Sequence, residues 1–303
     1  MPAQMHGHAA VEAAYRLLQC PDVTYEQLIE PHLRQTREAA GKVQRVLLIQ
    51  DTTEVDYQQY PTTSGLGHIG KHDGHQGFLL QSVLAVQPET REVLGLAHQE
   101  PFLRQPAPVG ETNWQRQFRQ RESQVWERSV QAVGTPPQAV EWIHVGDRYG
   151  DMFAFLSLCR QMNCHFVVRA AQDRCVDLLV DKDQAPRARC SHHKARATQE
   201  PKAASLHLFE VVGSWASQDT ADLKLEATKK RPARTAHLQI SWGRVRLLAP
   251  ENRKATRDLP PLVVWVVRVW EPNPPEGIEA LEWVLLCSMC TQSAVQAWQR
   301  VDW

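Results

Sequence analysis

Apolar residues recur at helical spacing over Ala9 to Leu18, and Pro21 interrupts that pattern. Val23 to Ala40 predicts a second helix, opened by Thr24 with Gln27 three residues later as a capping box and closed by Gly41. The texture then changes to short apolar runs. Val43 to Ile49 (VQRVLLI) predicts a buried strand with Asp51 just past its end. Phe78 to Val86 and Glu92 to His98 predict a hairpin around Pro88, Glu89 and Thr90. Trp114 to Val133 has a charged helical pattern. Glu141 to Val145 predicts the next strand, again followed by an aspartate, Asp147. Asp151 to Cys159 predicts a helix and His165 to Val168 a short strand.

Beyond Ala170 the chain becomes richer in basic residues and in short strand-like pieces. These are Ser205 to Val212, Thr235 to Ile240, Gly243 to Leu248 and Leu262 to Trp270, with Pro272, Pro274 and Pro275 closing the stretch. Leu281 to Cys287 predicts one more strand. Ser293 to Trp303 predicts a helix with Ser293 and Gln296 as its capping pair. That helix carries Trp298, Val301 and Trp303 to its last residue, with no Gly, Asn or Pro to close it. The pattern is that of a helix cut inside an element. The expected class is α/β. Residues 1–41 form a helical segment, 42–170 a core, 171–275 a β-rich insertion, and 276–303 a return to the core.

Charge changes this picture only locally. Lys plus Arg and Asp plus Glu stand at 34 each, so net charge points to no polyanionic partner. Two stretches are basic, however. One holds Lys182, Arg187, Arg189, Lys194, Arg196 and Lys202; the other holds Lys229, Lys230, Arg231 and Arg234. Such clusters suit phosphates or simply a solvated loop. No apolar run approaches the roughly 20 residues of a membrane span, and Met1 to Ala10 has no secretory-signal pattern. Seven irregularly spaced cysteines fit a reducing cytoplasm.

The two aspartates carry the candidate chemistry. Each follows an apolar strand, and in α/β sheets ligands bind where strand ends converge. Paired hard oxygens suit Mg²⁺ or Mn²⁺, and such a site serves in-line attack on a phosphodiester. Aspartates also start turns and cap helices, which is the plain alternative.

Further motifs decide between these. Gln50-Asp51-Thr52-Thr53 is followed by Gly65-Leu66-Gly67 and by Gly77-Phe78 entering a strand. Val145-Gly146-Asp147-Arg148-Tyr149-Gly150-Asp151 is followed by Phe155-Leu156 and then Phe166-Val167-Val168-Arg169. Between and after them stand Leu96-Ala97-His98-Gln99-Glu100, Arg121-Glu122-Ser123 with Trp126, and Asn273-Pro274-Pro275 with Leu281 to Leu286. In order and spacing the chain resembles the insertion-sequence-four family of DDE transposases, over nearly its whole length. The resemblance implies an RNase H-like core interrupted by a β-rich insertion. It also implies metal-dependent cut-and-paste DNA transposition, with strand cleavage followed by strand transfer. Asp51 and Asp147 would hold two Mg²⁺ or Mn²⁺ ions. Arg148, Arg169, Lys229, Lys230, Arg231 and Arg234 would contact DNA. The implied partner is double-stranded DNA at transposon ends, bound by a homodimer in a bacterial, nucleoid-associated setting. The family's third block, Y-x-x-R-x-x-x-E-x-x-x-x-x-x-K, has no counterpart here. Glu271, Glu276 and Glu282 lack its surroundings, so no third carboxylate is assigned. The expectation is a site two-thirds built and inactive alone, or else a non-catalytic DNA-binding or inhibitory remnant.

Weaker signals remain. Gly65 to Gly70 reads G-x-G-x-x-G, but the flanking residues are loop formers rather than a strand and a helix. His68, His72 and His75 in that loop are read as solvated. Cys287 and Cys290 form a C-x-x-C with no second pair, and are read as structural.

Overall fold

The computed structural model describes residues 7–70, 74–105, 107–112, 115, 122–179, 206–228, 232–251 and 253–303. Its helices are α1 (His8–Gln19), α2 (Tyr25–Ala40), α3 (Val125–Val133), α4 (Phe153–Gln161), α5 (Leu208–Gly213) and α6 (Ala294–Asp302). The strands are β1 (Arg45–Asp56), β2 (Gly67–His68), β3 (Gln76–Val86), β4 (Val93–Phe102), β5 (Glu141–Gly146) and β6 (His165–Arg169). They continue with β7 (Cys175–Leu178), β8 (Leu206–His207), β9 (Asp219–Leu225), β10 (Arg234–Leu247), β11 (Leu262–Trp270) and β12 (Glu282–Cys287).

All twelve strands join one mixed sheet in the order β2-β3-β1-β5-β6-β12-β11-β10-β7-β8, with β4 also on β3 and β9 also on β10. β1, β5 and β6 run parallel, and β3 and β12 flank them antiparallel. The strands between residues 171 and 275 therefore extend the same sheet. Alternation along each strand splits the core into two faces. Val46, Leu48, Phe166, Val168, Val264 and Leu286 bury against α3, α4 and α5 on one side. On the other, Leu47, Ile143, Val167, Val267 and Cys287 pack under Ala297, Trp298 and Val301 of α6.

Both predicted caps are present. Thr24 and Gln27 close a reciprocal capping box at α2, and Ser293 accepts from the Gln296 N–H at α6. Three predicted elements differ. Asp51 lies inside β1, not past its end, because β1 runs on to Asp56 along β3. Most of Ser205 to Val212 is not a strand: after two residues in β8, Leu208, Val211 and Val212 bury at helical spacing in α5. The two strands predicted over Thr235 to Leu248 are one. Gly243 is not a break, since its missing Cβ would lie 2.9 Å from the Trp215 ring that covers it. Within Trp114 to Val133 the described helix is α3, preceded by a 3₁₀ turn at Glu122–Gln124; residues 113–114 and 116–121 lie outside the described residues.

Candidate functional site

β1 and β5 pair in parallel up to Gln50 and Gly146, and β5 pairs with β6 up to Gly146 and Val168. The next position on each strand is Asp51, Asp147 and Arg169. These three residues thus follow one register row of three adjacent parallel strands, at the point where their parallel pairing ends. Neighbouring strands lie about 4.8 Å apart, so the backbones entering Asp51 and Asp147 are neighbours despite their distance in sequence. Both aspartates are exposed. Each uses Oδ1 locally: Asp51 accepts from the Thr52 N–H at 2.8 Å, and Asp147 accepts from the Tyr149 N–H at 2.8 Å. The Asp147 contact caps the 3₁₀ turn Arg148–Gly150.

That turn is seated by an aromatic ring. Trp126 of α3, 3% exposed, packs its indole on two glycines that bracket Asp147. A Cβ on Gly146 would lie 2.8 Å from the ring, and one on Gly150 3.1 Å. Only a bare Cα fits this close. The second aspartate of the motif, Asp151, does different work. It is buried and accepts from the Ala171 and Gln172 N–H groups, both at 2.7 Å, and from Arg174 Nε at 3.1 Å. It therefore ties the start of α4 to the chain leaving β6, a structural role that sequence alone did not separate from that of Asp147.

Under the row, on the opposite face of the sheet, lies a second feature that the sequence did not announce. His144, Gln50 and Gln81 are 0%, 2% and 0% exposed. Gln50 Nε2 donates to His144 Nδ1 at 2.6 Å, Gln81 Nε2 donates to Gln50 Oε1 at 3.3 Å, and the Thr52 hydroxyl donates to Gln81 Oε1. Burial pushes the His144 pKa down to about 3, so its ring is neutral. Its Nε2 has no hydrogen-bond partner and the ring lies edge-on to Phe155. The only sequence signal was polar residues at positions whose neighbours in alternation are core.

The other predicted site residues are dispersed. Arg148 is exposed beside Asp147, and Arg169, half-buried, donates from Nη2 to the Glu282 carbonyl at 3.2 Å. Arg234 stands on distant β10, its guanidinium held in a two-point pair by Glu271, which is 4% exposed. The pairing lowers the Glu271 pKa. Lys229, Lys230 and Arg231, and the basic stretch from Lys182 to Lys202, lie outside the described residues. Gly65 to Gly70 forms a loop around two-residue β2 and leads to β3, not to a helix. Cys287 is buried, with its thiol pushed up to about 12, while Cys290 is exposed.

Among the described residues no group of three or more His, Cys, Asp or Glu side chains is placed to hold a metal ion. None of their helices is long and apolar enough to cross a membrane. No protein-family model matches the chain.

Proposed function

We propose that this chain is the core of a DNA transposase of the DDE type, built on an RNase H-like sheet, that acts on double-stranded DNA at transposon ends. The observation that carries the reading is the row of Asp51, Asp147 and Arg169 just beyond the last parallel pairs of three adjacent strands. An antiparallel β1–β3–β4 meander running into parallel β5 and β6, with helices over the sheet, supports the RNase H-like part.

The donor set fits a hard divalent cation. Two exposed aspartates directly follow the register pair Gln50–Gly146, and each spends one oxygen on a local N–H. Asp51 and Asp147 would hold Mg²⁺ or Mn²⁺. When bound, such ions activate water and stabilise charge on the attacking and leaving oxygens of a phosphodiester. The chain's own contribution is positional. The Trp126–Gly146–Gly150 packing holds the Asp147 turn, and Arg148 and Arg169 present charge to DNA phosphates beside the carboxylates. Arg234 is left out of this set because Glu271 already engages it.

The test is cleavage of duplex DNA carrying the element's terminal repeats, with Mg²⁺ or Mn²⁺, by the chain and its Asp51→Ala and Asp147→Ala forms. Metal-dependent nicking lost in both variants is expected of a complete site. Turnover that survives Asp51→Ala refutes the metal assignment. A second reading is a non-catalytic DNA-binding protein derived from such an enzyme, favoured by the pair standing without a third carboxylate among the described residues. Salt-dependent end binding without nicking is its signature.

A further inference from the structure

β1 changes partners at one point. Up to Gln50 it lies between β3 and β5; from Asp51 to Asp56 it pairs with β3 alone. The separation of Asp51 from Asp147 is thus set where the β1–β3 ribbon leaves β5. Backbone pairing ends there, and a two-stranded ribbon twists more freely than a sheet interior.

The buried polar side chains sit at this fork. Gln50 is the last β1 residue paired with β5 and directly precedes Asp51; Thr52 directly follows it. Gln81 lies across from Thr52 on β3, and His144 is three residues before Asp147 on β5. The hydrogen bonds run in one direction across all three strands, from the Thr52 hydroxyl to Gln81, to Gln50, to His144 Nδ1. This leaves the proton of the neutral imidazole on Nε2, which has no hydrogen-bond partner. Their neighbours in alternation, Leu48, Val83 and Trp142, are apolar core. A polar chain in such a layer adds little net stability over apolar side chains, but it defines geometry.

We infer that His144, Gln50, Gln81 and Thr52 form a positioning clamp that sets the spacing of Asp51 and Asp147, and thereby how tightly the pair takes a divalent cation. The inference rests on the reading of those aspartates as cation ligands. None of the four touches the cation; they act through the backbone of β1 and β5.

The experiment is an electron paramagnetic resonance titration of the whole chain with Mn²⁺, alongside thermal melting. Three variants are compared with the parent: Asp51→Asn, Thr52→Val, and the triple Gln50→Leu, Gln81→Leu, His144→Leu. The triple variant removes the three buried members together, leaving only the half-buried Thr52 hydroxyl to find a new acceptor. Expected results are loss of Mn²⁺ binding in Asp51→Asn and about ten-fold or weaker binding in the triple variant with its melting temperature retained. Thr52→Val should show a smaller loss in the same direction. A triple variant that melts and binds Mn²⁺ like the parent overturns the clamp and leaves the aspartate reading intact. Should that variant not fold, parental Mn²⁺ affinity in Thr52→Val overturns the clamp instead. Absence of Mn²⁺ binding in the parent, or binding indifferent to Asp51→Asn, overturns both.

Discussion

Acidification should weaken this fold through one buried histidine. His144 is fully buried and burial depresses its pKa from 6.5 to about 3. Its neighbours Gln50 and Gln81 are neutral, so nothing adjacent compensates a proton there. In the unfolded chain the same imidazole titrates at the ordinary value. Between the two values the unfolded state binds a proton that the native state refuses, so stability rises with pH. The contribution is fully present above about pH 6.5 and is lost progressively as pH falls toward about 3. At pH 5 the loss relative to pH 7 amounts to about 2 kcal/mol, at about 1.4 kcal/mol per pH unit. Urea unfolding at pH 7 and pH 5, for the parent and for His144→Leu, isolates this term because the other histidines are common to both. The parent should lose about 2 kcal/mol more than the variant over that interval. Equal losses in the two proteins would falsify the account, showing His144 to be protonated in the fold or reached by water.

Two further outcomes follow from packing. Gly146→Ala places a methyl 2.8 Å from the Trp126 ring and should lower stability by about 1–3 kcal/mol in chemical denaturation. A parental stability would mean that the ring moves away freely. Asp151→Ala strips the partner from Arg174, whose side chain is 9% exposed, and from two N–H groups. The expected loss is about 3–5 kcal/mol, and a change below about 1 kcal/mol in the same denaturation assay would count against a structural role.

Local signals made much of this fold legible. The strands carrying Leu47, Phe78 to Val86, Ile143 and Val167 stood out as apolar runs, and Thr24 and Ser293 marked their helices by capping chemistry alone. The outer half of β1 did not stand out. From Asp51 to Asp56 it has one neighbouring strand and mostly exposed side chains, so no apolar face is imposed on it. The helix at Leu208 was missed because its six residues are as apolar as a strand; only the spacing of Leu208, Val211 and Val212 betrayed it. At the candidate site the aspartates were legible because each follows an apolar run in the sequence. Their supports were not, because they depend on long-range pairing. Gln50 meets His144, and Arg234 meets Glu271, only once the sheet has assembled. A basic residue read from its sequence neighbours as a phosphate ligand turned out to have a private carboxylate on another segment.

The place of β12 bears on how such a chain reaches its native state. Although it is the last of the described strands in sequence, it lies in the middle of the sheet, between β6 and β11. Until residues 282–287 have emerged and docked, β6 and β11 are open edges with unpaired backbone groups and strongly apolar side chains, including Phe166, Val168, Val264 and Val266. Such edges invite pairing with other chains. The two halves of the sheet also join through contacts remote in sequence, which form slowly. A nascent chain of this topology is therefore most prone to aggregate until β12 has docked, and holdase chaperones should act on it in that interval.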